Sequence, residues 1–512
     1  MFQSTSIKIR FAVSVGSNTL RAVIGFASGL LIARALNPAG YGDLMFLLGS
    51  FVAIRSVLDM GSSSAFFTFL SQRARARYFY FVYFCWLAFQ FFITLLLICL
   101  IIPTSIFDRI WLGGDREIVL LAFVAAFFQQ QVWQTVGQIG EAMRKTIQIQ
   151  LMNFAIALFY LVTILLASIY SELSIAKILG ILIVQYTVAT IFACHVLKDD
   201  QAGAVVKTES LGEIWSDYWK YCKPLVILAL LNFAYDFADK WMLQKFGGAA
   251  QQGYFQIASQ FAAVSLLATT SILSVFWKEI ADAWARDDLI RVAMLYRKVS
   301  RGLVMLGAMV SGFLLPWSVQ IVNTFLGPAY ISAWPVLAVM LLYPIHQSMG
   351  QIGGTMFLAS GQTHRYMFIS AAMMLLSILV TYIMLAPSSG TWIHGLEMGA
   401  LGLACKMVVL GIVSVNIQAW IIARYGGWKF DWIFQVVGIP LTLSFGYLAK
   451  MLVGTLWNLE GVSNIELMLP FLLAAVIYAM FILLMIWFVP SLVGVEKTEI
   501  QNMLKRLKAR RV

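Results

Sequence analysis

Runs of about 20 mainly apolar residues recur along this chain from end to end, separated by short charged or proline-bearing connectors. Lipid cannot solvate a peptide group, so a run of this length must be a helix, which satisfies its backbone internally. Spans are expected at 11–34, 43–70, 79–102, 118–140, 147–169, 175–197, 224–246, 254–277, 302–326, 333–358, 366–386, 398–423, 432–455 and 467–489, about fourteen in all. Pro38, Pro103, Pro224, Pro328, Pro387 and Pro490 stand at their borders. No segment shows the alternating ten-residue pattern of a barrel strand. The expected fold class is therefore an all-α polytopic membrane protein. Only 12% of residues are charged and mean hydropathy is +0.83, whereas soluble domains carry about 25% charged residues. That excludes a large soluble domain.

Five scattered cysteines (Cys85, Cys99, Cys194, Cys222, Cys405) give neither a metal-binding spacing nor a disulfide framework. The N-terminal run lacks a small-residue cleavage site and reads as a first span. Basic residues orient the chain. With the N-terminus inside, 26 of the 36 Lys and Arg fall in cytoplasmic segments and five outside. Both termini are then cytoplasmic. The same bias accounts for the net charge of +12 as attraction to anionic lipid, so nucleic acid is not implied as a partner. Residues 284–296 and the tail 496–512 have apolar residues at helical spacing among charges, the pattern of an amphipathic helix on the inner surface.

The chain also resembles itself. Gly40-Tyr41 superposes on Gly253-Tyr254, and GQIGEAMRKT (137–146) on MFLASGQTHR (356–365). Six spans separate each pair, which predicts parallel repeats about an axis along the membrane normal. The expected organisation is an N-lobe over 1–200, an inter-lobe linker over 201–223 and a C-lobe over 224–424. Two added helices over 425–492 and a basic tail over 493–512 complete it.

Charges inside spans are the functional signal, because each costs at least about 2.5–3.5 kcal/mol at the bilayer centre unless it faces a wet cavity or a partner. Arg21, Arg55, Asp59, Asp236, Asp239, Lys240, Lys406 and Lys450 all lie within spans. Arg55 and Asp59 share a helix face and can pair. Gln130, Gln134, Gln138 and Glu141 form a stripe on the fourth span, and His346, Gln347 and Gln351 occupy the tenth. Gly25 and Gly29 have the spacing of close helix packing. The excess of bases over acids suits an anionic ligand. Candidate substrate-binding residues are Arg21, Arg55, Lys240, Lys406, Gln134, Gln138, His346 and Gln347. Candidate ion-coupling or gating acids are Asp59, Asp236 and Asp239, acting with a proton or Na⁺ gradient. No nucleotide-binding, metalloprotease or hydrolase motif is present, so neither a catalytic residue nor a bound cofactor is expected.

At Leu31-Ile-Ala-Arg34-Ala-Leu36-Asn-Pro38-Ala-Gly40-Tyr41-Gly42 the chain resembles the "ARxLGPxxYG" stretch of Wzx-type polysaccharide flippases. These belong to the multidrug/oligosaccharidyl-lipid/polysaccharide exporter superfamily. Asp59-Met60-Gly61 is similar to their "DLG", and Asp239-Lys240 with Phe246-Gly247 and Gly253-Tyr254 to their "DR…lG…vGxY". Asn37 replaces a usual Gly, and Lys240 a usual Arg. The resemblance implies a MATE-like fold of two six-helix lobes plus two helices in a bacterial inner membrane. It implies as substrate an undecaprenyl-pyrophosphate-linked oligosaccharide for O-antigen, capsule or exopolysaccharide. That substrate would cross from inner to outer leaflet by alternating access, alongside the polymerase and export machinery of its pathway. Rival readings are a cation-coupled drug exporter, a lipid II flippase and, from another class, a membrane glycosyltransferase or polysaccharide polymerase. The last would want a large acidic outer loop, which residues 35–42 do not provide.

The orientation is tested in a cysteine-free background. A cysteine introduced near Asp115 reacts with an impermeant thiol reagent added outside intact cells, and one at Ala74, beside Arg75, does not. Reversed labelling would invert the topology.

Overall fold

The computed structural model describes residues 7–197, 209–389, 394–457 and 466–495. The expected amphipathic tail and linker residues 201–208 lie outside the described residues. Every regular element described is helical. The first half contains α1 (Ile7–Asp59), α2 (Ser62–Gln72), α3 (Arg77–Leu96), α4 (Thr104–Trp111), α5 (Arg116–Phe127), α6 (Trp133–Ala142), α7 (Thr146–Tyr170), α8 (Ile175–Val196), α9 (Leu211–Cys222) and α10 (Leu225–Met242). The second contains α11 (Ala249–Ala285), α12 (Leu289–Leu314), α13 (Ser318–Leu326), α14 (Trp334–Met340), α15 (Tyr343–Ala359), α16 (Thr363–Leu385), α17 (Gly399–Gly426), α18 (Ile433–Gly454) and α19 (Met468–Phe488). Short π-helical turns extend α3 (Leu97–Ile101), join α5 to α6 (Phe128–Val132) and extend α10 (Leu243–Gly247).

Among the described residues ten helices are long and apolar enough to cross a membrane, and twelve if each of two bent pairs counts as one span. The chain is thus a multi-pass membrane protein by its own composition. Two of the expected spans lie in a single helix, α1, because it continues through a kink at Asn37. The expected linker contains α9, whose N-terminus is closed by Ser210 and Glu213 in a reciprocal capping box.

The described helices form two compact units, one of residues 1–256 with 378–399, the other of 257–377 with 400–512. In the second unit, Val304, Met305 and Ala308 of α12 pack with Ile345 and Met349 of α15, and with Phe434, Tyr478 and Ile482. A neighbouring cluster corrects the expectation for 284–296. Val292 and Tyr296 are buried against Ile280, Ile352 and Ile422, so these apolar positions serve the protein core instead of the lipid surface. The segment is the meeting of two long helices, α11 and α12, turned at Asp287 with φ 55°. Its charges point outward, as Arg291–Glu279 and Arg286–Asp282 pairs.

The internal repeat has a structural counterpart. After α6, Arg144 turns with φ 60°, and the Lys145 N–H returns to the Gly140 carbonyl at 2.8 Å. After α15, Gly361 turns with φ 72°, and the Gln362 N–H returns to the Phe357 carbonyl at 2.8 Å. Each turn launches a long helix from a threonine, Thr146 or Thr363. This correspondence lies two residues out of the sequence register, and the other match shifts by two as well. Asn37 (φ 58°, ψ 172°) and Gly248 (φ 82°, ψ 173°) share one unusual conformation. A Cβ on Gly42 would run into the Ala249 carbonyl, and a Cβ on Gly253 would run into the Pro38 carbonyl. Gly42, not Gly40, is therefore the partner of Gly253. The two turns interlock reciprocally, backbone against backbone, within the first unit. By contrast, a Cβ on Gly25 would meet nothing within 4 Å, so its spacing from Gly29 does not mark a helix contact through Gly25.

The interlock gives a paired prediction. Gly253→Ala and Gly42→Ala force the two backbones apart and lower the thermal midpoint of the purified protein by several degrees, at a cost of about 1–3 kcal/mol. Asn37→Gly relieves a conformation that costs a non-glycine residue about 1–3 kcal/mol and raises the midpoint. Gly25→Ala is the control and is neutral or stabilising.

Candidate intramembrane polar site

The polar residues of the first unit gather where α1 ends. The helix breaks at Met60 (φ 44°) and Gly61 (φ 87°), leaving the first amides of α2 without helical acceptors. Asp59 supplies one. Its carboxylate accepts from the Ser63 N–H at 2.9 Å, the Ser63 hydroxyl at 2.9 Å and the Ser62 hydroxyl at 3.0 Å. The Trp86 indole N–H donates to Ser62 Oγ at 3.2 Å. On the other side of the break, Gln90 Nε2 donates to the Leu58 carbonyl at 2.8 Å, and Gln131 Nε2 reaches Gln90 Oε1 at 3.4 Å. Asp59-Met60-Gly61 is thus a helix break closed by its own aspartate. That departs from the sequence expectation that Asp59 pairs with Arg55.

Arg55 instead donates through Nη2 to the Gln134 side-chain carbonyl on α6. A neutral amide does not cancel the guanidinium's charge. The π-helical turn Phe128–Val132 immediately precedes α6 and carries Gln129, Gln130 and Gln131. Such turns rotate the helix face by a fraction of a turn. Here Gln131 meets Gln90, while Gln134 meets Arg55. Gln138 Oε1 is buried without a hydrogen-bond partner among the described residues. Arg21, on α1, is exposed.

A second cluster surrounds the end of α10. Lys240 Nζ donates to the Asp236 carbonyl at 3.2 Å, and its alkyl stem lies against Gly49, where a Cβ would sit 2.6 Å from Cδ and Cε. Thr381 donates to Asp239 Oδ1 at 2.7 Å. Gln244 donates to Asp43 Oδ1 at 2.7 Å, tying α10's π-helical end to the segment after the Asn37 kink. Asp236, Asp239 and Lys240 are all half-buried.

In the second unit, Lys406 on α17 is 1% exposed. His346 and Gln347 are half-buried on α15, with His346 beside Gln435, which donates to Asn416 Oδ1 at 3.0 Å. Lys450 is held by the Pro316 carbonyl at 2.7 Å and Gln320 Oε1 at 3.1 Å, and sits over the Trp317 ring. A bidentate Arg301–Asp431 pair, at 2.7 and 2.9 Å, braces α12 against the segment before α18. Among the described residues no group of three His, Cys, Asp or Glu could hold a metal ion.

Sequence reasoning missed Gln90, Gln131, Trp86 and Asp43. Gln90 carried a signal, as the lone amide in the apolar span 79–102. Asp43 did not, since it reads as a loop acid beside a turn.

No family model and no curated relative matches the sequence. Solved structures do match in fold. The chain superposes on a structure titled lipid II flippase MurJ, inward closed conformation, with a TM-score of 0.68 at 14% identity, covering 95% of this chain and 100% of that one. An inward-facing multidrug resistance MATE family transporter of the MOP superfamily matches with a TM-score of 0.57 at 14% identity, over 79% and 95% of the two chains. A MOP superfamily transporter from Pyrococcus furiosus, whose title notes a binding pocket of reverse polarity, gives 0.54 at 14% identity over 82% and 95%. The fold is that of the MATE-like, MOP-superfamily membrane transporters.

The hydrogen-bond pattern predicts how the in-span charges respond to mutation. Asp59→Ala removes three acceptor contacts and destabilises by about 1–3 kcal/mol. Arg55→Ala and Asp59→Ala should add in a double-mutant cycle, with a coupling below about 1 kcal/mol. Rescue of one change by the other, read as membrane abundance or thermal midpoint, would establish a salt bridge in place of the cap.

Proposed function

We propose that the protein is a flippase for a polyprenyl-pyrophosphate-linked oligosaccharide, moving the repeat unit from the inner to the outer leaflet by alternating access. The observation that carries this reading is Arg55. It is a permanent cation inside a span, its hydrogen-bond acceptor is the neutral Gln134, and the Asp59 carboxylate that attracts it is itself engaged by Ser62 and Ser63, which favours an anionic ligand beside it. Arg21 lies in the same helix and is exposed. A pyrophosphate takes bidentate guanidinium contacts, and the neighbouring amides of Gln134 and Gln138 suit sugar hydroxyls. The prenyl tail stays in lipid. The membrane potential, negative inside, favours outward movement of the anion by about 2.3 kcal/mol per charge per 100 mV. Lys240 is proposed to contribute a further contact within the first unit, and Lys406, His346 and Gln347 are proposed as ligand-binding residues of the second.

The acids divide. Asp59 is occupied as a helix cap, which argues against a coupling role for it. Asp236 and Asp239 remain the proposed coupling acids, and a cation-coupled drug exporter would depend on them. An acidic site with few bases would favour that rival, whereas the in-span bases lead here. Lipid II shares the polyprenyl-pyrophosphate carrier and differs in the glycan. The cationic site therefore suits both lipids, and the glycan decides between them.

In cells, Arg21→Ala and Arg55→Ala should abolish surface glycan while the protein reaches the membrane at normal levels. Arg→Lys should restore part of the export, because the charge survives and the planar fork does not. Normal export in both alanine variants would end the idea of a cationic phosphate site. Complementation of cells depleted of their lipid II flippase, with no effect on surface glycan, would assign the protein to lipid II instead.

A further inference from the structure

A cavity of about 160 Å³ opens between α9 and the α2–α3 region of the first unit, apart from Arg55 and Gln134. Its wall is apolar and aromatic, from Val82, Trp86, Trp215 and Trp219 among others. Along α9, Leu211, Trp215 and Trp219 recur every four residues and are 56%, 62% and 57% exposed, so one stripe of the helix is largely uncovered by the described residues. Ile214, on the adjacent face, is 2% exposed and fixes the helix to the fold. Tryptophans in such a stripe mark the level of the lipid headgroups.

Two polar features of this cavity point to an anion with an apolar chain. Tyr83 is 2% exposed, and its hydroxyl faces Thr135, which donates its own proton to the Gln131 carbonyl at 2.8 Å and keeps lone pairs that receive the Tyr83 proton. The Tyr218 hydroxyl is buried without a hydrogen-bond partner among the described residues, and its ring stacks on that of Tyr83 at 6.4 Å. Buried phenol hydroxyls are proton donors that cost free energy when left without an acceptor. Lys223, an exposed cation at the C-cap of α9, also lines the cavity. Asp59 also borders the cavity, but its carboxylate is already occupied by Ser62 and Ser63.

The helix that roofs the cavity is held at its other end. Arg75 is 4% exposed and lies over the rings of Phe69 and Phe79 at 5.4 and 4.9 Å. It donates to Glu209 Oε2 at 2.6 Å, and Arg73 binds the same carboxylate. Glu209 immediately precedes the Ser210 cap of α9, so the α2–α3 turn clamps the N-terminus of the helix that roofs the cavity.

We propose that this cavity is a binding site for one anionic glycerophospholipid of the cytoplasmic leaflet. An acyl chain occupies the aromatic cavity, the Tyr218 hydroxyl donates to its ester or phosphate oxygens, and Lys223 pairs with the headgroup. Lys223 at the cavity and Arg73, Arg75 and Arg77 in the α2–α3 turn favour the anionic class over a zwitterionic one. The site is separate from the proposed glycan-lipid path and stands or falls without it.

The test is native mass spectrometry of the full-length protein in mild detergent, titrated with phosphatidylglycerol, phosphatidylcholine or undecaprenyl phosphate. One phosphatidylglycerol should be retained in preference to phosphatidylcholine. The double variant Tyr218→Phe, Lys223→Gln should weaken that retention about tenfold, the worth of a charge-assisted hydrogen bond. Lys220→Gln, a charge change on the same helix outside the cavity, should not. Thermal midpoints of the variants within 2–3 °C of the parent, about 1 kcal/mol or less, establish that the fold is intact. Equal retention by the double variant and the parent would overturn the proposal, as would equal retention of phosphatidylcholine. Displacement of phosphatidylglycerol by undecaprenyl phosphate would also overturn it, by assigning the cavity to the transported lipid. Retention that appears only after residues 198–208 are replaced by a glycine-serine linker would assign the cavity to this chain's own segment, and overturn it too.

Discussion

Hydrocarbon offers a peptide group no hydrogen-bond partner, and each point where a helix bends or stops inside this chain shows how that debt is met. At Met60-Gly61 the orphan donors find Asp59 and the orphan Leu58 carbonyl finds Gln90. At Asn37 and Gly248 the chain turns sharply, and two glycines let the turns close on each other with no side chain between them. At Phe128–Val132 the helix continues through a wider turn instead of breaking. Asp59, Gln90, Gln131 and Asp43 lie beside these irregularities, where backbone groups or neighbouring side chains need partners.

This constraint separates two kinds of buried polar residue. Asp59, Gln90, Ser62 and Ser63 repair the backbone, and their chemistry is spent on it. Arg55 is different: its hydrogen bond goes to a side-chain amide on another helix and repairs no backbone group. Lys450 belongs with the repairers, since the Pro316 carbonyl and Gln320 receive it. A count of in-span charges overstates the number available to a ligand until these internal obligations are subtracted.

The same logic extends to the membrane surface. Arg75 is buried under two phenylalanine rings only because Glu209 meets it there. Arg301 is likewise fixed by Asp431 and by the Ser491 carbonyl at 2.5 Å. These ion pairs stand at the ends of helices in segments that the charge distribution assigns to the cytoplasm. They pin α9 in the first unit and the segment before α18 in the second. Basic residues are therefore not all free surface charge in this chain: Arg75 and Arg301 are structural ties.

The sequence by itself determined the all-helical, multi-pass fold. Spans are long, apolar and bounded by charge and proline, and lipid admits no other secondary structure for such runs. It also determined which residues carry charge into those spans, and that two helix-turn-helix passages resemble each other. Tertiary structure alone decided who meets whom. That Asp59 caps α2 while Arg55 reaches Gln134 depends on a helix break and a π-helical turn, neither of which leaves a periodic signal. That Gly42 opposes Gly253 depends on backbone approach, where a Gly-Tyr match two residues out of register reads equally well. That Val292 and Tyr296 enter the core depends on α11 and α12 meeting at Asp287, and a surface helix has the same pattern of apolar spacing. Periodicity records that a face is buried. Only the packing of the neighbouring helices determines against what.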